Sequence, residues 1–177
     1  MKLLAGAMRF DNLFLLNIFN LSDKKLFSTI LPKFSHSANG YYYPLIPAVL
    51  FLLNPAKAFY FLLAGLISFA IELPTCTIIK HCIKRNRPYE VMENIYFRKF
   101  PGGRFSLPSG HTSAAFVITV LLSYLYAFLM FPILIWASMV GISRIYLGVH
   151  YPTDVLAGMA IGILSGLSGI TLASYFF

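Results

Sequence analysis

The chain has 177 residues, 58% of them hydrophobic and only 11% charged, with a mean hydropathy of +0.74. Soluble domains carry roughly 25% charged residues, so this composition excludes a water-soluble protein and predicts one built into a membrane. The formal net charge of +8 does not point to nucleic acid, because the basic residues gather in the N-terminal third and between Lys80 and Arg104 instead of covering a soluble face interleaved with aromatics.

From Met1 to Ala38 the apolar residues alternate with Arg9, Asp11, Asp23, Lys24, Lys25 and Lys33, which predicts one or two amphipathic helices at the membrane interface and no signal peptide. Tyr41 to Ala56 is expected as a short first span, entered by three interfacial tyrosines and closed at Asn54-Pro55. Ala58 to Cys82 supplies a second, with Pro74 a candidate kink and Glu72 an intramembrane carboxyl read as structural. Cys76 and Cys82 read as buried apolar fillers without metal-ligand spacing. Lys84 to Leu107 is the one long polar loop, with a turn expected at Pro101-Gly102-Gly103.

Ser109 has the character of an N-cap for a third span reaching Met130; a fourth covers Ile133 to Gly148 and a fifth Pro152 to Phe177. In the fifth, Gly158, Gly162 and Gly166 recur every four residues, the spacing that lets helices pack closely in a bilayer. The expected fold is therefore all-α, a polytopic transmembrane helical bundle of about five spans. It forms a single domain over 1–177, with 1–40 interfacial and 41–177 the bundle. Counting crossings puts the end of the second span, the start of the third, the end of the fourth and the start of the fifth on one membrane face.

Those four ends carry nearly all the chemistry. Thr112 to Ser143 and Val155 to Phe177 hold no Asp, Glu, Lys or Arg, yet between them stand Arg144, His150 and Asp154, groups that hydrocarbon disfavours and that mark sites when they occur there. Pro152 suits the first turn of a new helix, which places His150 in the preceding turn and Asp154 within reach of its ring. A His four residues before an Asp is, taken alone, usually a polar pair at a helix end, so the partners decide. They are Lys80 and Arg87, seven apart and on one side if the helix persists that far, and Pro108-Ser109-Gly110-His111 at a helix start, where free N–H groups favour an anion. An imidazole nucleophile with its carboxylate, a second imidazole as acid and several cations match the needs of phosphoryl transfer.

Lys80 with six residues before Arg87-Pro88, then Pro108-Ser109-Gly110-His111, then Ser143-Arg144 with five residues before His150 and three before Asp154, resembles all three signature motifs of the type 2 phosphatidic acid phosphatase superfamily. The resemblance implies metal-independent dephosphorylation through a phosphohistidine, with no cofactor. His150 would be nucleophile, Asp154 its orienting partner and His111 the general acid. Lys80, Arg87, Arg144, Ser109 and Gly110 would bind the substrate phosphate. It implies as substrate a lipid phosphate or diphosphate of the bilayer, such as phosphatidic acid, phosphatidylglycerophosphate or undecaprenyl pyrophosphate, and no nucleic acid. A lipid phosphotransferase of the same family is the first alternative, and a non-catalytic lipid-phosphate binder or transporter the second. The family expectation is the cytoplasmic membrane of a bacterium with the site on the outer face, although the distribution of Lys and Arg favours the inner face.

Overall fold

The computed structural model describes residues 2–20, 25–93, 95 and 103–177, with the backbone alone described for 2–9, 20, 25 and 26. The turn expected at Pro101-Gly102 lies outside the described residues, as do Asp23 and Lys24. Eight α-helices follow one another, with no strand among the described residues: α1 (Lys2–Asn20), α2 (Lys25–Ser37), α3 (Leu45–Leu53), α4 (Pro55–Ile83), α5 (Pro88–Val91), α6 (Gly110–Leu125), α7 (Met130–Tyr146) and α8 (Pro152–Ala173).

Helix boundaries fall where local chemistry dictates. Asn54 caps α4 by accepting from the Lys57 N–H at 3.0 Å, and Pro55 takes the first helical position, where its missing N–H costs nothing. Pro152 opens α8 in the same way, and the turn before it is made by Gly148 at φ 73°, a left-handed conformation suited to glycine. Pro74 lies inside α4 and the helix continues through it to Ile83.

All five expected apolar segments become helices, in the expected order. Among the described residues three segments, Pro55–Val91, Ala127–Tyr146 and Pro152–Phe176, are long and apolar enough to cross a bilayer. The expected first span is shorter than hydropathy suggested: Gly40–Tyr42 is a 3₁₀ turn and α3 has only nine residues, about 14 Å against the roughly 30 Å of hydrocarbon. Pro44 before it and Asn54-Pro55 after it set that limit. The third segment also ends early, at Leu125, followed by a 3₁₀ turn at Ala127–Leu129.

α8 lies at the centre, packed on α6 and α4; α6 also packs on α7, and α3 folds back on α4. The outward faces stay apolar, with Leu66, Ile78, Ile135 and Leu164 each more than 60% exposed, as suits a bundle whose solvent is lipid. Between helices in such a solvent, close packing replaces the hydrophobic effect, and α8 uses its glycines for it. A Cβ at Gly158 would stand 2.5 Å from the Ser109 carbonyl oxygen and one at Gly166 would stand 2.9 Å from Val120 Cβ, so the two helices touch backbone to backbone.

The N-terminal helices do more than lie on an interface. α1 packs against α7 and α8, and α2 runs along α7. One face of α1, Asp11, Leu15, Ile18 and Phe19, is buried, while Phe10, Leu13 and Phe14 face outward. Of the two cysteines, Cys76 is buried as expected, with its thiol 3.2 Å from Glu72 Oε1, whereas Cys82 is exposed.

Candidate active site

The ends of α4 and α7 and the starts of α6 and α8 converge on one end of the bundle. Lys80 occupies the last turn of α4, which stops at Lys84 in a left-handed cap (φ 51°, ψ 40°). The helix therefore does not persist to Arg87, and it is this reversal, not helical spacing, that sends Arg87 back toward the bundle. Arg87, 2% exposed, is held by two carbonyls: Nε donates to Gly103 O at 3.0 Å and Nη1 to Val149 O at 2.9 Å. That grip leaves Nη1 3.5 Å from His150 Nε2.

Ser109 sits at the N-cap of α6, its N–H donating to the Asp154 carbonyl at 3.0 Å and its hydroxyl 2.8 Å from Thr112 Oγ1. The side chain is thus turned to a neighbouring hydroxyl and not to a capping N–H. Lys80 Nζ lies beside Gly110, 3.7 Å from where a Cβ would stand, so the ammonium meets the first turn of α6, the end where helix N–H groups are unsatisfied. Lys80 is also within electrostatic reach of Arg87 and Arg144.

Arg144, on the last turn of α7, is 3% exposed. Its Nη1 donates to Ser35 Oγ at 2.7 Å, and its Nε has no hydrogen-bond partner among the described residues, which leaves donor capacity for an anion. His150 is buried with Nε2 toward Arg87 and Nδ1 toward Asp154, 3.6 Å from Oδ2. That separation is longer than a hydrogen bond. Asp154 is instead gripped by two other donors: Oδ2 accepts from the Tyr151 N–H at 2.8 Å, and Oδ1 from Arg85 Nη1 at 2.7 Å.

All eight residues expected from the sequence are thus at this end of the bundle, and four others join them. Arg85, left without a task by the motif reading, bridges Asp154 and Asp11, with Nη2 2.6 Å from Asp11 Oδ2 and its guanidinium 3.9 Å over the Tyr151 ring. Asp11 also accepts from the Thr153 N–H at 2.9 Å, so a carboxylate from α1 caps α8. Ser35 supports Arg144, and Asn39 Oδ1 lies 3.1 Å from His111 Nε2. One signal in the sequence marked Asp11: it shares a helical face with Leu15 and Ile18, where an isolated carboxylate needs a partner.

Beside His111 a cavity of about 1030 Å³ extends between α3, α4 and α6, lined by Tyr43, Phe51, Phe61, Leu66, Phe69 and Ile118 among others, and it reaches Asn39, Gly110 and His111. The polar end of the bundle therefore adjoins, at Gly110 and His111, a space suited to hydrocarbon.

Burial pushes the His150 imidazole down to about 4, with Arg144 and Arg87 adding to the effect and Asp154 opposing it. The ring is consequently neutral, with a lone pair to offer, through the whole neutral range. The unfolded chain binds that proton near 6.5 and the folded chain only near 4, so between those values the unfolded state holds more protons and stability falls as pH falls. The difference is on the order of 3 kcal/mol. The thermal midpoint in detergent should drop between pH 6.5 and 4, and His150→Asn should remove part of that drop; an unchanged pH profile in the variant would count against a neutral buried ring.

A family model described as the PAP2 superfamily matches residues 56–176. The chain is 36% identical over 61 residues to undecaprenyl-diphosphatase BcrC of Bacillus subtilis (strain 168), a stretch covering 34% of this chain and 32% of that protein. It is 30% identical over 125 residues to the lipid A 4'-phosphatase of Porphyromonas gingivalis, covering 66% of this chain and 53% of the relative. The matches thus span about a third to a half of the length of these curated relatives. The crystal structure of Aquifex aeolicus LpxE superposes with a TM-score of 0.75 at 27% identity, covering 91% of this chain and 94% of that one.

Proposed function

Because the chain belongs to the PAP2 superfamily, we propose that it hydrolyses a membrane lipid phosphate or diphosphate through a phosphohistidine formed on His150. Phosphatidic acid, phosphatidylglycerophosphate and undecaprenyl pyrophosphate are the substrate candidates. What supports the reading above all is one juxtaposition: His150 Nε2 stands 3.5 Å from the Arg87 guanidinium in a pocket shared with Lys80 and Arg144, and an apolar cavity meets the same pocket at His111.

In this reading the phosphoryl oxygens are held by Lys80, Arg87 and Arg144, with the first turn of α6 at Ser109 and Gly110 completing the cradle. The neutral His150 attacks phosphorus through Nε2. Positive charge grows on the ring as the P–N bond forms, and the Asp154 carboxylate on the Nδ1 side stabilises it. On the opposite side the P–O bond to the lipid breaks, and His111 delivers a proton to the departing oxygen while the chain lies in the cavity. Water then attacks the phosphohistidine with His111 as base, releasing phosphate and restoring His150. Three fixed cations supply the neutralisation that a metal ion provides in other phosphoryl-transfer sites.

The test is release of inorganic phosphate from a panel of lipid mono- and diphosphates by the detergent-solubilised protein in excess chelator. Full turnover that vanadate inhibits is expected; loss that Mg²⁺ restores would refute metal independence, and label appearing on a second lipid instead of in phosphate would make the enzyme a phosphotransferase. We place the site on the outer face of a bacterial cytoplasmic membrane, the side the family resemblance implies. The same assay on intact cells with an impermeant phosphate ester reads that side directly.

A further inference from the structure

We propose that Asn39, which belongs to none of the three motifs, is the positioning residue that sets His111 up as proton donor; the proposal rests on the reading of His111 as general acid. Asn39 lies between α2 and the 3₁₀ turn at Gly40–Tyr42, in extended conformation (φ −69°, ψ 132°). Its backbone is pinned on both sides. The preceding Ala38 is buried against Ala115, Phe116, Ala137 and Val140, its carbonyl accepts from Tyr43 OH at 3.1 Å, and the Asn39 carbonyl accepts from the Tyr42 N–H at 3.1 Å. The amide is therefore delivered to His111 by a fixed stretch of chain, not by a free side chain.

The side chains form a hydrogen-bonded chain. His111 Nε2 is 3.1 Å from Asn39 Oδ1, Asn39 Nδ2 donates to Tyr41 OH at 2.9 Å, Tyr41 OH is 3.0 Å from His36 Nε2, and His36 Nδ1 is 3.2 Å from Tyr42 OH. With the amide nitrogen committed to Tyr41, its oxygen faces the imidazole, and an oxygen there accepts only if Nε2 carries hydrogen. Asn39 thus fixes the Nε2–H tautomer of the neutral ring and favours the imidazolium, in which both nitrogens donate. Nδ1 is then the nitrogen that exchanges the catalytic proton. As the His150 Nε2–P bond forms and the lipid P–O bond breaks, the Nδ1 proton passes to the lipid oxygen. As water bonds phosphorus and the P–N bond breaks, Nδ1 takes a proton from that water.

A side chain that acts through the acid must show the acid's own signature, sensitivity to the leaving group. The full-length protein in detergent is assayed on a long-chain lipid monophosphate, whose alkoxide leaves poorly, and on p-nitrophenyl phosphate, whose phenolate leaves readily. Asn39→Leu is expected to lower kcat on the lipid roughly 10- to 100-fold with KM nearly unchanged, and on p-nitrophenyl phosphate less than about 3-fold. Asn39→Asp, which keeps the acceptor and drops the donor to Tyr41, should retain kcat on the lipid within about 3-fold. If Asn39→Leu does not fold, Asn39→Ser, too short to reach Nε2, carries the same comparison. His111→Ala in parallel separates the two ideas. Equal losses on both esters for His111→Ala would remove His111 from the acid role, whereas a selective loss there with a non-selective loss, or none, for Asn39→Leu would overturn the role of Asn39. Failure of Asn39→Asp to retain turnover would overturn it as well.

Discussion

His150→Ala is expected to abolish turnover on every phosphate ester, a loss of more than about four orders of magnitude, whereas His111→Ala should retain activity in proportion to how readily the alcohol departs. The asymmetry follows from what each ring does. In the proposed mechanism His150 forms the bond that carries the phosphoryl group, and no neighbour can replace it: Arg87 and Arg144 are cations, and Asp154 is held by Arg85 and the Tyr151 N–H. A general acid contributes roughly 10²- to 10⁴-fold, and less when the leaving group is already stable. Single-turnover assays with a lipid phosphate and an aryl phosphate measure both. Comparable losses for the two variants on the aryl ester would reverse or erase this division of labour.

The second large effect is expected far from the phosphate. Gly162→Val should cost the folded, monodisperse state in detergent and, with it, activity. A Cβ at Gly162 would run into the Ser113 carbonyl oxygen and stand 2.9 Å from Phe116 Cβ. Backbone cannot give way as a flexible side chain can, so α8 must move off α6, at a cost of several kcal/mol. The movement would also pull Asp154 from Ser109, whose N–H it binds through its carbonyl at 3.0 Å. Gly65→Ala is the control, since its Cβ would meet only Leu121 Cδ1 at an ordinary 3.7 Å. Size-exclusion profiles and thermal midpoints of the two variants decide the matter; a Gly162→Val protein as monodisperse and active as the parent would sink the packing account.

What could be read from the sequence was local. Pro152 and Ser109 announced helix starts, Gly148 the end of the fourth span, and the glycine spacing of α8 a close contact, because each is a property of a few adjacent residues. The eight motif residues were legible for the same reason, being short patterns set in an uncharged background. The first span was overestimated because hydropathy counts apolar residues without asking how many of them the prolines at 44 and 55 leave in one helix. Arg85, Asp11, Ser35 and Asn39 were missed because their meaning depends on residues 69 to 142 positions away. Arg85 is, in the sequence, one more basic residue between Lys80 and Arg87, and only the fold reveals the two carboxylates on either side of it.

Those long separations have a consequence for biosynthesis. Asp11 and Ser35 leave the ribosome 142 and 109 residues ahead of their partners Thr153 and Arg144. While the earlier helices enter the membrane, a carboxylate and a hydroxyl must wait beside lipid or water until α7 and the start of α8 arrive to claim them. The polar pocket therefore has no partial form before α7 and the start of α8 are made: it closes only when Asp11 and Ser35 meet Thr153 and Arg144.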